Sequence, residues 1–272
     1  MSAQSPSIRP PAVAGMFYSA APNILGAEVQ DYLSHAGTTA TCVPKALIVP
    51  HAGYIYSGSV AASAYACLAA ARDSISRVVL LGPTHRVAIR GLALPDAAAF
   101  DTPLGRVLVD PELVLAVASL PQVQQSRAVH AMEHSLEVQL PFLQVALDEF
   151  TLLPLAVGMA GPEEVAEVLD RVWGGPETLI VISSDLSHYH SYAEAQRLDQ
   201  ETARQIVALQ PLANHEQACG ATPVNGLLLC ARRRGLKVQL LDLRNSGDTA
   251  GDRSRVVGYG AFAMNETSDH EQ

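Results

Sequence analysis

Residues 45–58, KALIVPHAGYIYSG, decide how the fold is read. Ala46, Leu47, Ile48 and Val49 form an apolar run without charge, which suits a strand covered on both faces rather than one half exposed to water. Pro50 ends the run and His51 follows at once. Gly53 and Gly58 then loosen the backbone before an alanine-rich stretch, 59–71, that predicts a helix. This places an imidazole just past the C-terminal end of a buried strand, where open α/β sheets hold their ligands. Taken alone, His51 reads more simply as a loop histidine bonded to backbone.

The arrangement recurs. Residues 77–82, RVVLLG, run into Pro83-Thr84-His85, and residues 178–183, TLIVIS, run into Ser184-Asp185-Leu186-Ser187-His188. If the three runs lie side by side in one sheet, His51, His85, Asp185 and His188 gather at a single edge. Two imidazoles and a carboxylate with open positions form the ligand set of non-haem Fe(II) oxygen chemistry, while imidazole also suits zinc and copper. Cys219 is a further candidate, because it lies just before the Thr222-Pro223 helix start and a helix N-terminus stabilises thiolate. Simpler readings stand beside these: Asp185 as the N-cap of the following turn, and Cys67 and Cys230 as buried apolar residues inside helical patterns.

The remaining chain supplies the layers. Helices are expected over 26–35, 111–120, 161–173, 192–209 and from Thr222 onward, with a loop over 37–41. A longer one is expected over 133–150, where Leu136, Leu140, Leu143 and Leu147 share a face and Pro141 introduces a bend. Strands are expected over 151–157, 238–243 and 256–264, with short β pieces between 91 and 109. Residues 9–18, RPPAVAGMFY, favour neither element, yet their aromatics imply packing against the body. The expectation is a single α/β domain over 1–272, a covered sheet between helical layers, with flexible ends at 1–8 and 266–272.

Composition narrows the function. With 18 basic and 27 acidic residues the formal net charge is -9, which argues against a nucleic-acid partner held through its phosphates. The basic cluster Arg232–Arg234 reads as the solvated last turn of a helix. No stretch approaches the roughly 18 apolar residues of a membrane span, and a basic-then-apolar leader pattern is absent, so a cytoplasmic protein is expected. The 4 cysteines contain no C-x-x-C pair, which points away from a thiol redox motif or a zinc ribbon.

Several motifs in fixed order carry a resemblance over nearly the whole chain. His51-Ala52-Gly53-Tyr54, Gly82-Pro83-Thr84-His85, Glu133-His134-Ser135, Ser183-Ser184-Asp185 with His188, Cys219-Gly220, Asn245-Ser246-Gly247-Asp248 and Val257-Gly258-Tyr259-Gly260 together resemble the Memo family, in its bacterial and archaeal form, the B protein of the AmmeMemoRadiSam system. The family is similar in fold to class III extradiol (LigB-like) dioxygenases, so the resemblance implies a three-layer α/β/α sandwich. It further implies a metal site of His51, His85 and Cys219, with Asp185 and His188 beside it as catalytic residues. Phe17 and Tyr56 match pocket-lining aromatics, and His134 is expected to reach the site as a supporting donor or acceptor. Fe(II) is the implied cofactor, with copper or zinc as alternatives. Implied partners are a small molecule or peptide, with AMMECR-type and radical-SAM proteins. Cysteine in place of the extradiol carboxylate puts ring cleavage in question, since thiolate favours softer metals. A redox or dioxygenase-like enzyme and a non-catalytic binding protein using the same pocket both fit.

One rival stands apart. His130-Ala131-Met132-Glu133-His134 matches H-x-x-E-H, an inverted zinc-peptidase signature that needs both histidines on one helix and Glu133 free to act as base.

Overall fold

The computed structural model describes residues 7–37 and 43–266, so Cys42, most of the expected 37–41 loop and most of the expected flexible ends lie outside the described residues. At the start of the chain, Ile8–Arg9 is already a strand, paired in parallel with Ala99 and Phe100.

Four strands form the centre of a 12-stranded sheet in the order Thr151–Val157, Arg77–Pro83, Thr178–Ser183, Ala46–Val49, all parallel to one another. Val256–Asn265 then pairs antiparallel with Ala46–Val49, and Lys237–Asn245 pairs with Val256–Asn265 from the other side. Strand alternation divides the apolar residues between two faces. Leu47, Val49, Val78, Leu80, Leu179 and Val181 join one core with the helices Pro22–His35, Tyr54–Tyr65 and Leu140–Ala146. Ala46, Ile48, Val79, Leu81, Ile180 and Ile182 join the other with Pro162–Arg171, Tyr192–Val207 and Ala221–Arg233. The continuous apolar runs are those of strands buried on both sides, and the result is the expected α/β/α sandwich.

The topology positions the site. Thr178–Ser183 lies between the two strands that precede His51 and His85, with Val49 opposite Ser183 and Leu81 opposite Ile182. All three connections therefore leave the sheet at one level on its C-terminal edge.

Three expected helices are corrected. The alanine-rich helix begins at Tyr54 rather than 59 and tightens to a 3-10 helix over Ala66–Ala71. Gly58 does not loosen it: a Cβ there would lie 2.7 Å from the Tyr32 ring, so this glycine admits the neighbouring helix. The helix expected over 133–150 is broken into a turn, a short 3-10 segment Glu137–Gln139 and the α-helix Leu140–Ala146. The Glu133 carboxylate accepts the backbone N–H groups of His134 and Ser135, both at 2.9 Å, which holds a turn where the helix was expected to start. Pro141 sits in the first turn of the helix instead of bending it. Likewise the last long helix starts at Ala221 behind Gly220, so Thr222 is not its cap.

Candidate metal centre

His51 is built first, because its strand fixes it most firmly. Its backbone N–H donates to Asp185 Oδ1 at 2.6 Å, tying the ends of two adjacent strands together. Its Nδ1 lies 2.9 Å from Ser183 Oγ. That hydroxyl donates its proton to Ser135 O at 2.6 Å and accepts from Gln139 Nε2 at 2.8 Å, so the His51 bond must run from Nδ1–H to oxygen. The network thereby assigns the tautomer and leaves the Nε2 lone pair facing the cleft.

His85 is held the same way by a different partner. Glu133 Oε2 accepts its backbone N–H at 2.5 Å and Oε1 accepts Nδ1–H at 2.9 Å. The same Oε1 is 3.4 Å from His134 Nδ1. Gly82 makes this possible: a Cβ there would meet Ser135 Oγ at 2.8 Å, and that hydroxyl instead donates to Pro83 O at 2.8 Å. One buried carboxylate thus orients two imidazoles, the carboxylate–histidine pairing that commonly stands behind metal ligands.

The outcome is a compact trio. One ring nitrogen each from His51, His85 and His134 lies within 4.8 Å of the others. The rings of His85 and His134 stack with centroids 4.6 Å apart, and His51 meets both edge-on. Cys219 stands beside this group, its Sγ 3.3 Å from His51 Nε2. Because that nitrogen is the acceptor, the thiol donates to it. Asp185, His188, Phe17 and Tyr56 line the same cleft, of about 1210 Å³, and the Phe17 ring is 4.7 Å from that of His134.

Electrostatics keep two of the imidazoles, His51 and His134, neutral. Burial, reinforced by the neighbouring His85, pushes His51 down to about 3. Burial and the nearby His51 push His134 down to about 4. Burial would raise Glu133, but the bonds from His85 and the backbone win and hold it at about 2. Asp185 moves upward through burial, opposed by the His51 N–H. Burial also drives the Cys219 thiol well above its ordinary range, with the Asp185 charge adding to the effect, so the helix N-terminus does not by itself produce the expected thiolate. Neutral imidazoles with inward lone pairs are the protonation state that binds metal.

The peptidase signature is taken apart by the fold. His130 is buried away from the trio, its Nε2 bonded to Ala93 O at 2.8 Å, and Glu133 is fully engaged as an acceptor. Sequence reasoning gave His134 a supporting part, quoted Ser183 in a motif without assigning it a role, and passed over Gln139 and Tyr189. Tyr189 sits at the cleft mouth with left-handed backbone (φ 64°) and its ring 5.1 Å from the Arg255 guanidinium. Ser183 was within reach, because it alternates with Val181 on the face that also carries His51; Tyr189 carried no sequence signal.

The chain is similar to known proteins along nearly its whole length. Over most of its length the chain is 37% identical to a MEMO1 family protein of Aquifex aeolicus, covering 93% of this chain and 97% of that one. It is 35% identical to a MEMO1 family protein of Archaeoglobus fulgidus, covering 94% and 99%. A solved structure, that of an uncharacterized protein from Escherichia coli K12, aligns with a TM-score of 0.49 at 14% identity, covering 79% of this chain and 98% of that one. The profile described as Memo-like protein matches residues 9–263, and with relatives this similar along nearly their whole length, the chain belongs to the Memo family.

Proposed function

We propose that this protein binds a transition-metal ion through His51 and His85, with His134 and Cys219 completing the set, and acts on a small molecule held in the cleft above it. The observation that carries the reading is the convergence of three imidazole nitrogens within 4.8 Å, two of the rings held by Ser183 and Glu133. Imidazole donors suit Fe(II), copper and zinc, and a thiolate would shift the preference toward copper. We favour Fe(II), which would supply one-electron redox chemistry to a substrate with an oxidisable group.

The chain's own residues supply the rest. Asp185 is buried with one oxygen committed to the His51 N–H, which leaves the other to hold a proton at the cleft wall. His188, on the same wall, is its exchange partner. Phe17, Tyr56 and Tyr259 give the cleft apolar faces that orient a planar ligand and exclude water.

Metal analysis of anaerobically purified protein, with His51→Ala and His85→Ala beside it, tests the binding. Stoichiometric metal in the wild type and its loss in both variants is expected; equal content in all three overturns the reading. Oxygen consumption with a reductant or phenol separates the enzyme from a protein that uses the pocket only to bind.

A further inference from the structure

The N-terminal segment does more than cover the core. Its Arg9 is 5% exposed and its guanidinium is divided among three targets on the 130–137 stretch. Nε donates to His130 O at 2.9 Å, one terminal nitrogen donates to Glu133 O at 2.7 Å, and the other pairs with Glu137. The Phe100 ring closes the pocket 5.2 Å from the guanidinium carbon. Glu137, fully buried, in turn gathers Ala12 N at 2.8 Å, Val13 N at 3.0 Å and the Tyr18 hydroxyl at 2.5 Å. Between these anchors lies Phe17, packed on His134, with its carbonyl accepting Tyr54 N–H at 2.8 Å.

Glu133 is therefore gripped from two sides. Its carbonyl is held by Arg9 and its carboxylate by His85, His134 and Ser135. No helix supports it here, because the Arg127–Ala131 helix has ended and the 3-10 segment has not begun. We propose that Arg9 is a positioning residue for the metal centre: by clamping the carbonyls of His130 and Glu133, it fixes the carboxylate that aims His85 and the turn that presents His134. This rests on the metal reading above for its purpose, but the clamp itself is a property of the metal-free protein.

Arg9→Lys separates positioning from bulk stability. Lysine keeps a positive charge opposite Glu137 but offers one nitrogen where arginine offers a planar fork, so it cannot span both carbonyls and the carboxylate. The first readout is the His85 Nδ1–H proton of metal-free, histidine-labelled protein, observed by NMR. It is expected in the wild type, protected by Glu133, and lost from Arg9→Lys while circular dichroism stays native. The second is cobalt(II): affinity falls roughly 10–100-fold, as for other outer partners of metal ligands, and the visible spectrum moves toward that of His134→Ala. A lower melting temperature with the wild-type proton signal and cobalt spectrum overturns the proposal. Should Arg9→Lys fail to fold, the neutral pair Arg9→Met with Glu137→Gln removes both charges together, leaving none uncompensated, and is judged by the same proton. If the wild type binds no cobalt, the metal reading fails, and the His85 proton still decides whether Arg9 positions Glu133.

Discussion

Lys45 and His51 stand at opposite ends of one short strand, Ala46–Val49, and both are buried. At the start, the Lys45 ammonium donates to Gly175 O at 2.8 Å, Thr178 O at 2.7 Å and Gly174 O at 3.4 Å, with the Trp173 ring 5.6 Å away. All three of its donors are used, and what remains is a closed plug. At the other end His51 spends one nitrogen on Ser183 and turns the second toward an open cleft, where the Cys219 thiol meets it. Buried polarity alone does not mark a site; an acceptor that faces open space and meets no donor stronger than a thiol does.

The contrast can be broken by mutation, beginning with the largest effect. His51→Ala should abolish tight metal binding, more than 100-fold by isothermal titration, with a melting temperature close to wild type; a variant that keeps its metal would erase the distinction between the two ends. Lys45→Met should do the reverse. It strands three carbonyls and should lose about 3 kcal/mol in urea unfolding, with metal content unchanged. Lys45 also gives the plug a pH signature. Burial lowers its folded pKa to about 8 from 10.5, partly offset by Glu177, so the folded state sheds this proton before the unfolded one. Its charge therefore costs stability below pH 8, and wild-type stability should climb relative to Lys45→Met between pH 8 and 10.5.

Smaller changes sharpen the description of the open end. Glu133→Gln keeps the shape but weakens the orientation of His85, so metal affinity should drop about 10–100-fold, between the full loss at His51 and no loss at Lys45. Cys219→Ser should be mildest, under roughly tenfold for Fe(II) and larger for Cu(I), since hydroxyl is the harder ligand. A uniform loss across metals would remove the thiolate from the set.

Much of this was legible in the chain, and the rest was hidden for physical reasons. Three apolar runs announced three of the four central strands because burial on both faces leaves an unbroken hydrophobic signature, and Thr178–Ser183 and the further strand Thr151–Val157 fall where the pattern put them. The shared position of His51, His85 and Asp185 after those runs followed from parallel geometry. His134 was harder to place. The leucine spacing from Leu136 to Leu147 is the same whether one helix or two shorter pieces bury it, and only the self-bonding of Glu133 decides between them. Strand order was equally silent. Nothing local says that Thr178–Ser183 slots between the strands of His51 and His85, although that insertion brings Ser183 beneath the first imidazole.

The clamp on the 130–137 stretch bears on how the molecule comes to be made. Arg9 meets Glu137 across 128 positions of chain, and His51 meets Asp185 across 134. A ribosome must deliver more than half the polypeptide before the first of these encounters can occur, and closing such wide loops is slow work for a diffusing chain. In a zinc finger, nearby ligands let the ion organise the peptide around itself. On the proposed metal reading the order here is inverted: the wide loops must close before the ligands meet, so a cell would have to supply the cation to a finished product.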